Sequence, residues 1–183
     1  MTIKNSSTSY FIKNEASYSV NNGASNYTLI GSKICKPKGN FEVGLAFKES
    51  KTSLGGFIEG KYTSPKNEDA NWSLESRTRL QGDFPYDKEK ASFSLAQRIA
   101  GKGSWDIDKG VNFYQIFGLN SKISLQGDGL QSLTPTSITG FGYDLNKKLN
   151  VYIEGELSKG YDFQKKSWND LSPAVYLGAK YTF

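Results

Sequence analysis

Apolar and polar residues alternate along most of the chain, which is the pattern of β-strands that have one apolar and one polar face. The clearest run covers residues 72–83. Its even positions are mostly apolar or small, and its later odd positions are strongly polar: Glu75, Arg77, Arg79, Gln81 and Asp83. One face of this predicted strand therefore suits lipid or a protein core, and the other suits water or ion pairs.

The same alternation predicts about ten strands in one domain covering residues 1–183. Further clear runs are 41–48, 54–63, 111–126, 149–158 and 175–183, and weaker runs are 8–20, 25–36, 91–101 and 135–145. Turn-forming residues separate many runs, such as those at 37–39 and 146–148. Many runs have roughly 10 to 13 residues, which is longer than the usual soluble strand and matches the roughly 9 to 11 tilted residues that cross a bilayer. We predict an all-β, up-and-down antiparallel barrel, with eight or twelve strands if runs have been merged or divided.

Alternation alone leaves open which face is outside, because a soluble lipocalin-like barrel has its apolar face inside and a membrane barrel has it outside. The chain has no apolar stretch near the 18 or so residues of a membrane helix, so it can span a bilayer only as a closed barrel. Charges on the polar face favour the membrane arrangement, because opposite charges can pair in a confined lumen. The predicted pairs are Glu42–Lys61, Lys61–Glu75, Glu75–Arg98 and Glu59–Arg77.

Aromatic residues near the predicted strand ends also favour a membrane barrel, in which aromatic girdles mark both interfaces. These residues are Tyr10, Tyr18, Tyr62, Trp72, Tyr143, Tyr161 and Phe183. An even number of strands returns both chain ends to one side, with the short 146–148 turn on that side and the longer 160–170 segment opposite. Residues 102–110 are predicted to form a long connection on the side of the chain ends, which fits this arrangement less well.

The last residues, 176–183, resemble the β-signal of bacterial outer-membrane barrels, in which a polar residue, a glycine, an aromatic residue and a terminal phenylalanine recur at fixed spacing. Gly178, Tyr181 and Phe183 match this pattern, and Tyr176 fills the polar position only loosely. The resemblance implies that the barrel-assembly machinery reads this strand, and that the chain is a small porin-like barrel of the outer membrane. It indicates the class and no particular member.

The amino-acid composition limits the catalytic and metal-binding sites that the chain can form. The chain has no His, which removes the commonest general base and metal ligand. Some small outer-membrane barrels of the class that the chain resembles are enzymes: phospholipase, lipid A deacylase, palmitoyltransferase and surface protease. These enzymes use a catalytic histidine, which this chain lacks. The sequence also has no G-x-S-x-G motif. Glu154 and Glu156 lie on one strand face, where a lumen lining is favoured over acid–base chemistry or Ca²⁺ binding. We therefore expect no enzyme activity, metal or cofactor.

The net charge, the single cysteine and the N-terminal residues further limit the possible partners, disulfides and location of the protein. The net charge is +5, but 23 basic residues are interleaved with 18 acidic ones, so we expect no nucleic-acid binding. The single Cys35 excludes an internal disulfide. Residues 1–13 lack the apolar region of a signal peptide. Either a signal has been removed, as in bacteria, or none exists, as in an organelle outer membrane.

These observations predict a narrow, weakly selective outer-membrane channel for ions or small polar solutes. The alternatives are a plugged, non-conducting barrel with a structural or surface-interaction role, and a channel of a mitochondrial or chloroplast outer membrane. The predicted lumen-lining or ion-pairing residues are Glu42, Glu59, Lys61, Glu75, Arg77, Arg79, Arg98, Lys122, Glu154, Glu156 and Lys180. A slight inward excess of basic residues predicts a weak preference for anions, and inward glycines such as Gly44, Gly118 and Gly140 are expected to make space. Expected partners are outer-membrane lipid, the assembly machinery and small ions or solutes, with the protein a monomer.

Overall fold

A computed structural model describes residues 7–19, 23–67, 71–87, 90–127 and 129–183 of the chain. The strands in these ranges are β1 (Ser7–Ser19), β2 (Gly23–Lys36), β3 (Gly39–Ser50), β4 (Ser53–Thr63), β5 (Trp72–Pro85), β6 (Ser92–Asp108), β7 (Val111–Ser124), β8 (Leu130–Asp144), β9 (Leu149–Ser158), β10 (Tyr161–Asp162), β11 (Ser167–Trp168) and β12 (Ser172–Thr182). The predicted end of the first strand at Val20, and residues 1–6, lie outside the described residues. The described part of the chain contains no helix with the length and hydrophobicity needed to cross a bilayer.

Ten long strands close into a barrel. Strands β1 to β9 pair antiparallel in chain order, and β12 lies between β9 and β1. The short strands β10 and β11 form a hairpin within the 159–171 connection, and β10 pairs with β8 through Tyr161 and Leu133. The predicted fold class, an all-β up-and-down antiparallel barrel of about ten strands, is confirmed.

Both ends of the described chain lie at the same rim of the barrel. Ser7 begins β1 there and Thr182 ends β12, with Phe11 opposite Thr182 in the pairing of these strands. We call this rim the terminal rim. We call the opposite rim, which carries the 159–171 connection, the loop rim. The turn at 145–148 belongs to the terminal rim, as the sequence predicted.

Strand β6 is longer than predicted. The interpretation of residues 102–110 as a long connection is wrong, because β6 continues to Asp108 and only Lys109 and Gly110 turn the chain into β7. Gly110 has a φ of 78°, a conformation that glycine adopts without the strain of a side chain. The alternation continues through this segment, where Trp105 and Ile107 have outward positions in the strand.

The large apolar side chains point outward. Phe47, Leu74 and Ile99 are 65%, 65% and 61% exposed, respectively, although each lies within a long strand. Other exposed apolar residues of the outer face are Val43, Leu45, Ile58, Leu80, Phe117, Ile153 and Leu177. Charged residues such as Glu15, Glu59 and Arg98 are buried on the inner face. This is the arrangement predicted for a membrane barrel and the reverse of a lipocalin-like barrel.

Aromatic residues are concentrated towards the two rims of the outer face. Near the terminal rim, Trp72, Trp105, Phe113 and Phe141 form a row in which successive ring centroids are 6.3, 5.6 and 5.2 Å apart. Near the loop rim, the rings of Phe84 and Phe93 are 5.9 Å apart. These rows extend the predicted girdles, because Trp105, Phe113 and Phe93 were not among the residues expected there.

Candidate functional site

Within the described part of the barrel, three polar cavities follow one another from the loop rim to the terminal rim. The loop-side cavity has a volume of about 620 Å³, the central cavity about 180 Å³ and the terminal-side cavity about 390 Å³. Arg79 lines all three. It therefore lies where the central cavity meets its two neighbours.

Every predicted lumen residue has an inward position. Those that line the terminal-side cavity are Glu42, Glu59, Lys61, Glu75, Arg77, Arg79, Glu154 and Lys180. Arg98 and Glu156 line the central cavity. Lys122 is separated from the others and lines only the loop-side cavity among these three. The structure thus brings most of the set together around one stretch of the lumen, and their role in a pore stays a prediction.

The densest ion-pair cluster lies on β4 and β5. Glu59 accepts a hydrogen bond from Arg79 Nε and lies 3.8 Å from Arg77 Nε, and Lys61 Nζ is 3.2 Å from Glu75 Oε2. The predicted register was wrong by two residues, since Glu59 lies opposite Arg79, and Lys61 opposite Arg77. The predicted contacts Lys61–Glu75 and Glu59–Arg77 nevertheless form diagonally, because long side chains reach neighbours two residues away on the next strand.

Glu42 is the centre of a second cluster near the terminal rim. It lies opposite Lys61 in the β3–β4 register, as predicted. Its ion pairs are formed with other residues, however: Lys180 Nζ is 3.2 Å away and Lys33 Nζ is 3.9 Å away. Lys180 is on β12, so this contact joins strands that are separated by β1 and β2, across the lumen.

The predicted pairing of Glu75 with Arg98 is wrong. Ala100 lies opposite Glu75, and Arg98 lies opposite Arg77. The expected register would have placed a carboxylate beside Arg98, whereas the observed one places a second guanidinium there. This difference leaves the charge of Arg98 without the carboxylate partner that the sequence analysis assigned to it.

Four inward tyrosines form hydrogen bonds that the sequence analysis did not single out. The hydroxyl groups of Tyr114, Tyr152 and Tyr176 donate to Glu154, Glu15 and Glu156, respectively. Tyr27 accepts a hydrogen bond of 2.8 Å from Lys13 Nζ, which also lies 3.0 Å from Glu15 Oε2. The signal was available in the sequence, because these residues share the parity of the charged lumen positions.

Inward glycines are covered by neighbouring side chains. The ring of Tyr152 lies over Gly178, and that of Tyr114 lies over Gly140, so closely that a Cβ atom on either glycine would overlap the ring. Leu29 covers Gly44 in the same way. The expectation that Gly44 and Gly140 make open space in the lumen is therefore wrong: they make room for large residues on adjacent strands.

The lumen is less uniformly polar than predicted. Phe11, Leu29, Ala46 and Phe57 form one buried apolar cluster on the inner face, and Ala100, Tyr114, Ile116 and Ile138 form another. Basic side chains lie over the faces of several aromatic rings in these two clusters. Lys180 Nζ is 4.1 Å from the ring centroid of Phe11, Arg79 Cζ is 4.2 Å from that of Phe57, and Lys102 Nζ is 4.3 Å from that of Tyr114. These contacts compensate part of the desolvation of the basic groups.

Basic side chains outnumber carboxylates around two of the cavities. Six basic and four acidic residues line the central cavity, and seven basic and four acidic residues line the terminal-side cavity. The loop-side cavity is balanced, with three of each sign. Lys102 contributes to this excess. Sequence analysis missed it because its segment was interpreted as a connection.

Acid–base or metal chemistry gains no specific support from the geometry. Glu154 and Glu156 each accept a hydrogen bond from a tyrosine, as described above. Within the described ranges, no group of three or more Cys, Asp and Glu residues is arranged to hold a metal ion.

Comparison with known proteins gives only a likeness in fold. No protein-family model and no curated protein matches the chain significantly. Among solved structures, the chain is similar to the NanC porin, with 12% identity, a TM-score of 0.48 and coverage of 93% of this chain and 98% of that one. It is similar to the KdgM porin in complex with disordered oligogalacturonate, with 12% identity, a TM-score of 0.45 and coverage of 94% and 99%.

A third similar structure is the outer-membrane expressed OmpT of Vibrio cholerae, with 10% identity and a TM-score of 0.46. The match covers 87% of this chain but only 56% of that chain. At these values the likenesses assign no family. The description of the chain as a closed barrel with an apolar exterior rests on its own strand pairing and side-chain positions.

Proposed function

We propose that this protein is a narrow channel of the outer membrane, for ions or small polar solutes, with a weak preference for anions. The observation that carries the proposal is the succession of three polar cavities between the two rims, which share lining residues. Barrel diameter grows with strand number, and about eight strands leave room only for side chains. Ten strands widen the interior slightly, which agrees with cavities rather than a continuous wide pore.

The membrane location is supported by the outer face. Its exposed apolar residues lie between two zones rich in aromatic residues, which is the surface of a membrane barrel. The bacterial outer membrane is proposed from the β-signal resemblance of Gly178, Tyr181 and Phe183, and an organelle outer membrane is the alternative. Tyr181 lies at the end of the strand that closes the barrel against β1, and the backbone N–H of Phe183, just after it, donates a hydrogen bond to the carbonyl of Tyr10.

A charge in the middle of the outer face tests the membrane location. We expect Ile58→Glu to lower the free energy of unfolding in lipid vesicles by about 1–2 kcal/mol, because a carboxylate at the bilayer centre loses its hydration. Leu54→Glu is the matched control on the same strand and face, near the loop rim, where the expected cost is below about 1 kcal/mol. Urea titrations of the refolded protein give both values. Equal costs at the two positions would contradict the proposed membrane orientation.

Conductance tests the channel itself. In planar bilayers we expect small discrete current steps and, in a KCl gradient, a reversal potential of the sign given by chloride preference. Arg77→Ala removes a cation from the central and terminal-side cavities and should reduce this preference, whereas Glu42→Gln removes a carboxylate and should increase it. Lys165→Gln, in the exposed 159–171 connection, serves as the control and should leave the reversal potential unchanged.

A second candidate function, a plugged barrel, is favoured by the position of Arg79. Its side chain is held by Glu59 and by the ring of Phe57 and lines all three cavities, where it would obstruct passage along the axis. Protein that shows the heat-modifiable gel migration of a folded barrel, but gives no current steps in any bilayer, would favour this alternative over the channel.

A further inference from the structure

The guanidinium of Arg98 is the most conspicuous unsatisfied group in the lumen. The residue is only 6% exposed, and its Nε and Nη2 atoms are buried without a hydrogen-bond partner among the described residues. Arg98 lies opposite Arg77 on β5 and opposite Asn120 on β7. Because buried donors without an acceptor are unfavourable, the surroundings of Arg98 call for an additional hydrogen-bond acceptor.

The carboxylates around the central cavity are already engaged by other groups. Glu15 pairs with Lys13, and Glu75 pairs with Lys61. The remaining carboxylates of this cavity, on β9, accept hydrogen bonds from Tyr114 and Tyr176, as described above. None of the four lies within ion-pair distance of Arg98 in the described part of the barrel.

Three cationic groups of the cavity are left with weak or no ionic partners. Arg77 is at the long distance of 3.8 Å from Glu59, whose main partner is Arg79. Lys102 contacts the ring of Tyr114, and Arg98 has its two buried nitrogen atoms unpaired. Against these three cations stand the two tyrosine-bonded carboxylates of β9. The local balance is therefore one positive charge.

We propose that the central cavity is a binding site for a small oxyanion, with Arg98 as its main ligand and Arg77 and Lys102 beside it. A guanidinium presents two parallel N–H donors, which suit the oxygen atoms of a carboxylate or a phosphate better than a spherical halide. The volume of about 180 Å³ equals roughly six water molecules at about 30 Å³ each, which is enough for an anion of a few heavy atoms.

The site deepens the proposed function, since its role in transport rests on the channel, but binding itself requires only the folded barrel. The affinity for anions would then be concentrated at one position of the lumen. A permeating oxyanion would pause there, and at high concentration it would obstruct the passage of chloride. Both effects can be measured separately.

Calorimetric titration of the full-length, detergent-refolded protein with inorganic phosphate tests the site, at constant ionic strength set by chloride. We expect saturable binding by the wild type, at least tenfold weaker binding by Arg98→Gln, and partial recovery in Arg98→Lys. Lys165→Gln, which removes a positive charge far from the cavity, should bind as the wild type does. A parallel titration with acetate distinguishes a carboxylate site from a phosphate site, and binding of either anion supports the proposal.

Arg98→Gln should fold, because it removes a buried guanidinium whose Nε and Nη2 atoms have no hydrogen-bond acceptor. If it does not, Lys102→Gln tests the same cavity and should weaken binding severalfold. The proposal is overturned if neither anion binds the wild type, or if both cavity variants bind as tightly as it does. Conductance in KCl tests the channel independently of the binding site. A barrel that gives no current but binds phosphate would support the site and contradict the channel. A barrel that conducts, but neither binds phosphate nor is blocked by it, would support the channel and contradict the site.

Discussion

Replacing Gly178 with valine is expected to lower the free energy of unfolding by about 3–4 kcal/mol, through overpacking and loss of a hydrogen bond to a charged group. The ring of Tyr152 occupies the space that the new side chain needs. The ring can turn away only by giving up its hydrogen bond to Glu15 and its cation–π contact with Lys13, whose Nζ is 5.2 Å from the ring centroid. Denaturant titration of protein refolded in detergent measures the loss.

Gly155 provides the matched control, because it lies in β9 beside β12 and a Cβ atom there would meet nothing within 4 Å. We expect Gly155→Val to change the free energy of unfolding by less than about 0.5 kcal/mol. Adding Tyr152→Ser to Gly178→Val should recover the part of the loss that is due to overpacking, because it removes the overlapping ring, whereas the hydrogen bond to Glu15 and the contact with Lys13 stay absent. A double variant as unstable as the single one would show that the overlap is not the cause.

The same experiment separates packing from assembly. Refolding from urea into detergent involves no assembly machinery, so the loss expected there arises from the overlap between Tyr152 and valine. If the double variant refolds in detergent but fails to reach the membrane in cells, Gly178 acts in the β-signal as well as in packing. Normal assembly of the double variant would limit the role of this glycine to packing.

Glu59→Gln is expected to lower the free energy of unfolding by about 2–3 kcal/mol, because it leaves two guanidinium groups without their carboxylate. The loss of a fully buried partner costs about 3–5 kcal/mol. The value is smaller here because the side chains of Arg77 and Arg79 are still 24% and 20% exposed to the lumen. Denaturant titrations at neutral pH in low and high salt measure it, and the loss should diminish as salt screens the two arginines.

Two further variants check the origin of this loss. Asp162→Asn breaks the exposed, 3.9 Å pair with Lys165 and should cost less than about 0.5 kcal/mol. Arg79→Met in the Glu59→Gln background removes one of the two guanidinium groups that are left without a carboxylate, and should restore the free energy of unfolding. A Glu59→Gln protein as stable as the wild type would mean that water in the lumen already solvates both arginines.

The period-two pattern identified the long strands and the parity of the lumen residues, because both follow from local geometry that adjacent residues share. The register of β4 against β5 could not be derived in the same way. It depends on the connection from residue 64 to 71, and a shift of two residues preserves which side chains point inward. The register of β5 against β6 depends in the same way on the connection at residues 86–91, so the pattern placed Glu75 and Arg98 on the correct face but opposite the wrong residues.

The contacts across β9 and β12 were also beyond the reach of the sequence pattern. Tyr152 and Gly178 become neighbours when the chain returns from the 159–171 connection, and Tyr152 reaches Glu15 only when β12 closes the barrel against β1. The extension of β6 was missed for a different reason. Gly101 and Gly103 occupy outward positions, so the apolar half of the alternation is interrupted just before Trp105 and Ile107 restore it.

The unequal lengths of the strands affect how the protein would lie in lipid. Strand β6 has 17 residues and β9 has 10. At about 3.3 Å per residue, β6 is therefore roughly 20 Å longer than β9. If the barrel axis is perpendicular to the membrane, a hydrocarbon layer of uniform thickness cannot match the lengths of both strands. In the proposed membrane, the protein would either lean towards its short side or raise the β6–β7 tip beyond the headgroups, and lipids around it would be compressed unevenly.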